Sequence, residues 1–443
     1  MQLTGKLRGS LLFRNAKPLS EKQNRILNLF FFTTLIGTFL GMLGIILYYV
    51  YSLAAVHAGS EEPLWLLSIF SDFVEIMNAS LKDSPYITDG TSYPPIAVMV
   101  LYPFALICKN VFAGYSSVEG MTVDELTAQV ILHPEFWIAI VLFFLVCFSS
   151  ISLIVIKKLR LEPIPAAKVS CSILMSAPFV YAIMRGNTIY FALIFLLLFL
   201  LLYDSPKPVL REISYLCLVL AGCIKIYPLF FGVFLLKKKR IFASFRVAIY
   251  FIAIFLLSFF LFSGGMDGLK PFLENLGGFM SNDERLLSLR NLSLSSLLYK
   301  IFYLISPSAA TSSAFSTVNL AVLLTVFILA TVTAVAARSN LSRAMIASAV
   351  MIMIPSITYF YVLIFMIPPF IEMLRDYDTL SNFKKRLYPA AFLFLFTTFL
   401  LLPQCYIPHT LIVIALMVTE EVSVIKNELI PYFKNRKLTK KHL

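Results

Sequence analysis

The sequence predicts an all-α polytopic membrane protein, a bundle of about twelve transmembrane helices with further helices lying at the membrane surface. Three observations carry that expectation. Of 443 residues, 59% are hydrophobic and only 14% charged, with 41 Phe and a mean hydropathy of +0.85, more apolar surface than a soluble core can use. Apolar runs of about twenty residues recur along the chain, the length a helix needs to cross ~30 Å of hydrocarbon. Those runs are continuous rather than alternating, which fits helices and not a lipid-facing barrel. The Lys and Arg residues gather in short segments between the runs, as in cytoplasmic loops. The net charge of +13 therefore reads as topology. No basic stripe with interleaved aromatics points to nucleic acid. The six cysteines lie in or beside apolar runs without CxxC spacing, and read as small buried hydrophobes.

The elements follow in order. Residues 1–25 form a basic amino terminus carrying Lys6, Arg8, Arg14, Lys17, Lys22 and Arg25, expected in the cytoplasm. The apolar run 26–56 is about twice a signal-peptide core and reads as an uncleaved first span. The first external loop, 57–135, opens with an acidic stretch that includes Glu61, Glu62, Asp72 and Glu75. Within it, 93–108 is short, and crossing there would leave Lys157-Lys158-Leu159-Arg160 outside; a juxtamembrane helix removes the conflict. Further spans are expected at 136–156, 168–184 and 188–203, then a short pair at 212–224 and 226–236, and another at 241–262. A second large external loop covers 263–316. Spans at 317–337, 344–358, 360–374, 387–402 and 409–424 complete a single domain, 26–424, and lead to a basic cytoplasmic tail, 425–443.

Ionisable residues at or within membrane segments are expensive to keep there and carry a functional presumption. Asp72 lies in the first external loop, where a general base could meet a substrate whose tail stays in lipid. Glu75 follows one helical turn later, in a supporting position. Arg185, in Met184-Arg185-Gly186-Asn187, and Lys225, in Cys223-Ile224-Lys225-Ile226-Tyr227-Pro228, fall at turns on the same external side. Two full spans do not fit between Arg211 and Lys237 at 1.5 Å per residue, so two half-length helices meeting near Lys225 and Pro228 are expected. A cation recessed at such a break suits an anionic lipid headgroup. Interfacial cations also simply snorkel to water, and that reading stays open for Arg185 in particular. His57, His133 and His409 lack ligand spacing and read as structural.

Together these residues resemble the integral-membrane glycosyltransferases of the GT-C superfamily. More narrowly, they resemble the polyprenyl-phosphate-mannose-dependent mannosyltransferases of glycosyltransferase family 87. Asp72-Phe73 followed by Asn78-Ala79-Ser80-Leu81-Lys82-Asp83-Ser84-Pro85-Tyr86 is similar to that family's first external loop, with Asp83 where glycine is common. Ser92-Tyr93-Pro94-Pro95-Ile96 is similar to its "TYPPL" helix start. Arg185-Gly186-Asn187 resembles its "GQxN" turn, and more closely the "RGN" of the eukaryotic glycosylphosphatidylinositol mannosyltransferase. Lys225-Ile226-Tyr227-Pro228 resembles a shared "KxYP". Asn291-Leu292-Ser293-Leu294 resembles an "NQSL" segment, with Leu292 departing from Gln.

The resemblance implies a GT-C-like bundle and transfer of a mannose-like hexose from a polyprenyl-phosphate donor to a lipid or glycan hydroxyl, with inversion. The reaction would take place on the external face, with a plasma-membrane location and both termini cytoplasmic. It implies Asp72 as the base, Lys225 and Arg185 as groups binding the donor phosphate, and Glu75, Tyr93, Asn187, Tyr227 and Asn291 as pocket support. No metal or other cofactor is expected to be required, since neither external loop carries a DxD pair or a His/Asp cluster. Two other classes stay open: a lipid-linked polysaccharide polymerase or ligase using diphosphate donors, and a lipid-linked saccharide flippase.

Overall fold

In the computed structural model, residues 16–57, 69–115, 121–237, 240–397 and 405–432 are described. Most of the basic amino terminus, part of the first external loop including Glu61 and Glu62, and most of the basic tail lie outside them. Among the described residues the chain is helical, with no strand; a single bridge pairs Lys17 with Leu161.

The expected first span is helical throughout, within Glu21–His57. Among the described residues, four helices are long and apolar enough to cross a bilayer: Pro134–Leu159, Ile241–Leu261, Ser313–Ala336 and Ile407–Tyr432. Two bent pairs raise that number to six. By length and composition the described residues thus supply four to six of the twelve expected spans, with shorter apolar helices beside them. The four long helices direct apolar side chains outward, among them Trp137, Leu145, Phe245, Ile252, Leu324 and Ile328, as a lipid-facing surface requires.

The remaining expected spans are shorter or broken, and proline accounts for much of it. The run 93–108 is not one helix but two short ones, Pro95–Met99 and Tyr102–Ala105, and a bend of 104° leads from them into Lys109–Tyr115. Pro94, Pro95 and Pro103 remove backbone donors there and dictate helix starts. The expected span 168–184 is Pro163–Leu174 and Ala177–Arg185, bent by 56° just before Pro178. Pro368 and Pro369 likewise separate a 3₁₀ turn, Phe360–Met366, from the helix Ile367–Asp376. The pair expected at 212–224 and 226–236 is unequal. Pro208–Ile224 runs for 17 residues, the chain becomes extended at Lys225, and a 3₁₀ turn, Tyr227–Gly232, follows. The region 263–316 is largely helical, with Leu269–Met280, Asp283–Leu287 and Leu294–Ile305 folded over the end of the bundle.

Asn340–Met353 forms the centre, buried from Leu341 onward and packed against Ser313–Ala336, Ile367–Asp376 and Ile407–Val424. Two charges placed in that core are fully engaged. The Arg343 guanidinium donates to the carbonyls of Ala334 (3.2 Å) and Ala337 (2.7 Å), satisfying the carboxyl end of the preceding helix. Glu420 accepts from Ser342 Oγ (2.8 Å), Lys384 Nζ (2.7 Å) and the Tyr388 hydroxyl. A buried ion left without such partners would be strongly destabilising.

Candidate active site

The first-loop helix Ser71–Ser80 begins at Phe70, held in the left-handed region at φ 66°, and the Phe70 N–H donates to the Met184 carbonyl at 2.6 Å. That bond ties the start of the helix to the carboxyl end of Ala177–Arg185. Asp72 thus sits in the first helical turn, where the helix dipole favours a carboxylate, directly against the turn Arg185-Gly186-Asn187.

Each residue of that turn has a physical task. Arg185 donates an ion-paired hydrogen bond to Asp72 Oδ1, and Asn187 Nδ2 donates to Asp72 Oδ2 at 2.7 Å. The Asn187 Oδ1 accepts from the Ile189 N–H at 3.0 Å, so the same amide starts the helix Ile189–Leu202 and orients the carboxylate. Gly186 has φ 64°, and a Cβ there would lie 2.3 Å from the Cβ of Phe73. Only glycine lets the turn come this close to the helix that carries Asp72.

Lys225 arrives from another direction. Its backbone is extended (φ −141°, ψ 125°) at the end of Pro208–Ile224. Gly222 permits the chain to fold back, because a Cβ there would meet the Leu229 side chain at 2.6 Å. The Lys225 ammonium lies 4.7 Å over the Tyr93 ring. Tyr93 is in turn fixed by its carbonyl, which accepts from the Tyr86 hydroxyl at 3.2 Å. Asn275 Nδ2 holds the same loop through the carbonyls of Tyr86 (3.0 Å) and Thr91 (3.3 Å), joining the segment before Tyr93 to the helix Leu269–Met280.

Asp72, Glu75, Tyr93, Arg185, Lys225 and Tyr227 all line one cavity of about 760 Å³. Asn187 is buried just behind Asp72. Asn291 does not reach the cavity. Its amide donates to the carbonyls of Arg285 (3.2 Å) and Ser356 (3.0 Å) and accepts from the Ser293 and Thr358 N–H groups, so it holds the cavity wall from behind. Arg185 lines the cavity with its guanidinium paired to Asp72. Sequence reasoning missed Tyr181, Arg285, Arg290, Tyr359 and Tyr361, which line the same space. The available signal was two arginines five residues apart in the segment 263–316.

Glu75 faces the cavity with its carboxyl pushed up from 4.5 to about 7, chiefly by burial and then by the neighbouring Asp72 charge; Arg185, Lys225 and Arg285 oppose the shift. A raised value favours the folded state while the group is protonated. Its contribution to stability is therefore fully present below the unfolded value near 4.5 and is lost as pH rises through about 7. Glu75→Gln is expected to flatten the fall in melting temperature across that window. An unchanged pH profile in the variant would refute the assignment.

The family follows from comparison with known sequences. The model of glycosyltransferase family 87 matches residues 91–359, more than half of the chain. The chain belongs to glycosyltransferase family 87. No curated protein and no solved structure matches. The matched stretch contains Tyr93, Arg185, Asn187, Lys225, Tyr227 and Asn291, and begins after Asp72 and Glu75. With its apolar helices, this family 87 member is a glycosyltransferase set in a membrane, acting on a sugar donor and an acceptor there.

Proposed function

We propose that this family 87 enzyme moves a mannose-like hexose from a polyprenyl-phosphate donor to a hydroxyl of a lipid or glycan acceptor, at the external face of the plasma membrane. The observation that carries the reading is the shared cavity: a fixed carboxylate, Asp72, and an ammonium group, Lys225, face one space in a membrane-embedded glycosyltransferase. The acceptor oxygen attacks the anomeric carbon as its proton passes to Asp72. The bond from that carbon to the phosphate oxygen breaks, its electron pair leaves with polyprenyl phosphate, and configuration inverts. Lys225 stabilises the charge gathering on the departing phosphate. Arg185 and Asn187 act on Asp72, holding its carboxylate and leaving its remaining lone pairs for the acceptor proton.

The charge asymmetry of the loops supports cytoplasmic termini and an external site. Incubating the purified protein with labelled polyprenyl-phosphate hexoses tests the proposal directly, the expected result being release of polyprenyl phosphate from the mannose-bearing lipid. Movement of intact lipid-linked sugar across vesicles without release would make it a flippase instead. Lys225→Ala is expected to weaken both donor binding and turnover, roughly tenfold or more for loss of a charge-assisted contact. Titration of polyprenyl phosphate against the variant checks this, and undiminished affinity would remove Lys225 from the donor site.

A further inference from the structure

The cavity holds more positive charge than the reaction just described uses. Four cationic side chains line it, Arg185, Lys225, Arg285 and Arg290, against two carboxylates, Asp72 and Glu75. Arg185 is neutralised by Asp72, and Lys225 is the proposed partner of the donor phosphate. Arg285 and Arg290 belong to a different element, the segment that folds over the bundle between Leu269–Met280 and Leu294–Ile305.

Arg285 is held ready for a ligand. Its N–H donates to Asn282 Oδ1 at 2.9 Å and its carbonyl accepts from Asn291 at 3.2 Å, so the backbone is fixed at both ends. The next residue, Leu286, is held as well, its carbonyl accepting from Ser296 Oγ at 2.6 Å. The guanidinium lies 4.0 Å over the Phe279 ring, another cavity residue. Stacking fixes the plane of the guanidinium and leaves its edge, where the donors are, free of the ring. Among the described residues no carboxylate forms an ion pair with it, and its Nη1 is buried without a hydrogen-bond partner. A buried N–H of a charged group is costly to leave unmade. A planar fork of donors is the geometry that binds carboxylate or phosphate through two parallel bonds.

We infer that Arg285, with Arg290 lining the same cavity, forms a second oxyanion subsite, separate from Lys225, for a phosphate or carboxylate carried by a substrate. The oxyanion has two sources: a second phosphate on the polyprenyl donor, or an acidic group on the acceptor. The inference rests on the transferase reading only in giving Lys225 to the first phosphate.

Two pairs of probes separate the sources, each differing in one anionic group. Binding to the full-length protein in nanodiscs is measured for polyprenyl diphosphate against polyprenyl phosphate, and for dodecyl glucuronide against dodecyl glucoside. The wild-type protein is expected to prefer the more anionic member of one pair by about tenfold, the size of one charge-assisted contact. Arg285→Gln should erase that preference, while Arg285→Lys, which keeps the charge and serves as the folded control, should retain part of it. A preference in the first pair assigns the subsite to the donor, and in the second pair to the acceptor. No preference in either pair, or a preference that survives Arg285→Gln, overturns the subsite. If Lys225→Ala leaves both polyprenyl lipids bound as before while Arg285→Gln erases a preference, the subsite stands and the placing of the donor phosphate at Lys225 falls.

Discussion

Asp72→Asn should lower transfer by about 10²–10⁴-fold, the usual worth of a positioned general base, while donor affinity changes little. The variant is nearly isosteric and can still accept from Arg185 through its remaining oxygen. Its new amide nitrogen, however, would face Asn187 Nδ2, a second donor, across what is now a 2.7 Å hydrogen bond. Turning the Asn187 amide to relieve that conflict would withdraw the oxygen that accepts from the Ile189 N–H. A modest loss of thermal stability should therefore accompany the large loss of rate. The two effects separate cleanly, because a structural role alone would reduce the amount of folded enzyme and leave the rate per folded molecule intact. Asp72→Ala is the less informative change, since it also strands the partly buried Arg185 without its partner. A reconstituted Asp72→Asn enzyme turning over near the wild-type rate would end the assignment of Asp72 as base.

How much of this was readable beforehand depended on whether a residue was anomalous by itself. Asp72, Arg185 and Lys225 stood out because charge is rare at the edges of apolar helices, and the three converge on one cavity. The bond between Arg185 and Asp72 was not readable, because it joins residues 113 apart and no local pattern encodes it. From its position alone Arg185 reads as a phosphate ligand, and the fold adds Asp72 as its partner. Asn291 matched a motif, and motif position does not say which way an amide points; it supports the wall and does not line it. Arg285 sits in the five-residue helix Asp283–Leu287, too short to show a periodicity, so a cation there looks merely solvated. The membrane class was legible from hydropathy, but the number of spans was not. Asn340–Met353 is apolar enough to read as a span, yet that segment is only 14 residues long and buried by other helices. The prolines at 103, 178 and 368 carried the missing information, since each marks a break that a hydropathy window averages away.

Gly186→Ala should be the most damaging change of a single methyl group in the site. At φ 64° an alanine is strained by roughly 1–2 kcal/mol. The added Cβ would also stand 2.3 Å from the Phe73 Cβ, an approach that real Cβ atoms do not make. Truncating Phe73 to alanine leaves that Cβ in place, so Phe73→Ala should not rescue the variant. Relief has to come from moving backbone, either the turn that carries Arg185 and Asn187 or the helix that carries Asp72. Overpacking of this kind typically costs about 1–3 kcal/mol, and together with the φ strain it should lower the melting temperature by several degrees. The effect on rate should exceed the effect on stability, because a displacement of about 1 Å between reacting groups can cost 10²-fold. Gly114→Ala supplies the control: nothing lies within 4 Å of its added Cβ, its φ is ordinary, and it sits in the Lys109–Tyr115 helix. Alanine there should be neutral or slightly stabilising. Equal behaviour of the two variants would mean that Arg185-Gly186-Asn187 does not set the position of Asp72, and the argument for this turn as the anchor of the site would have to be abandoned.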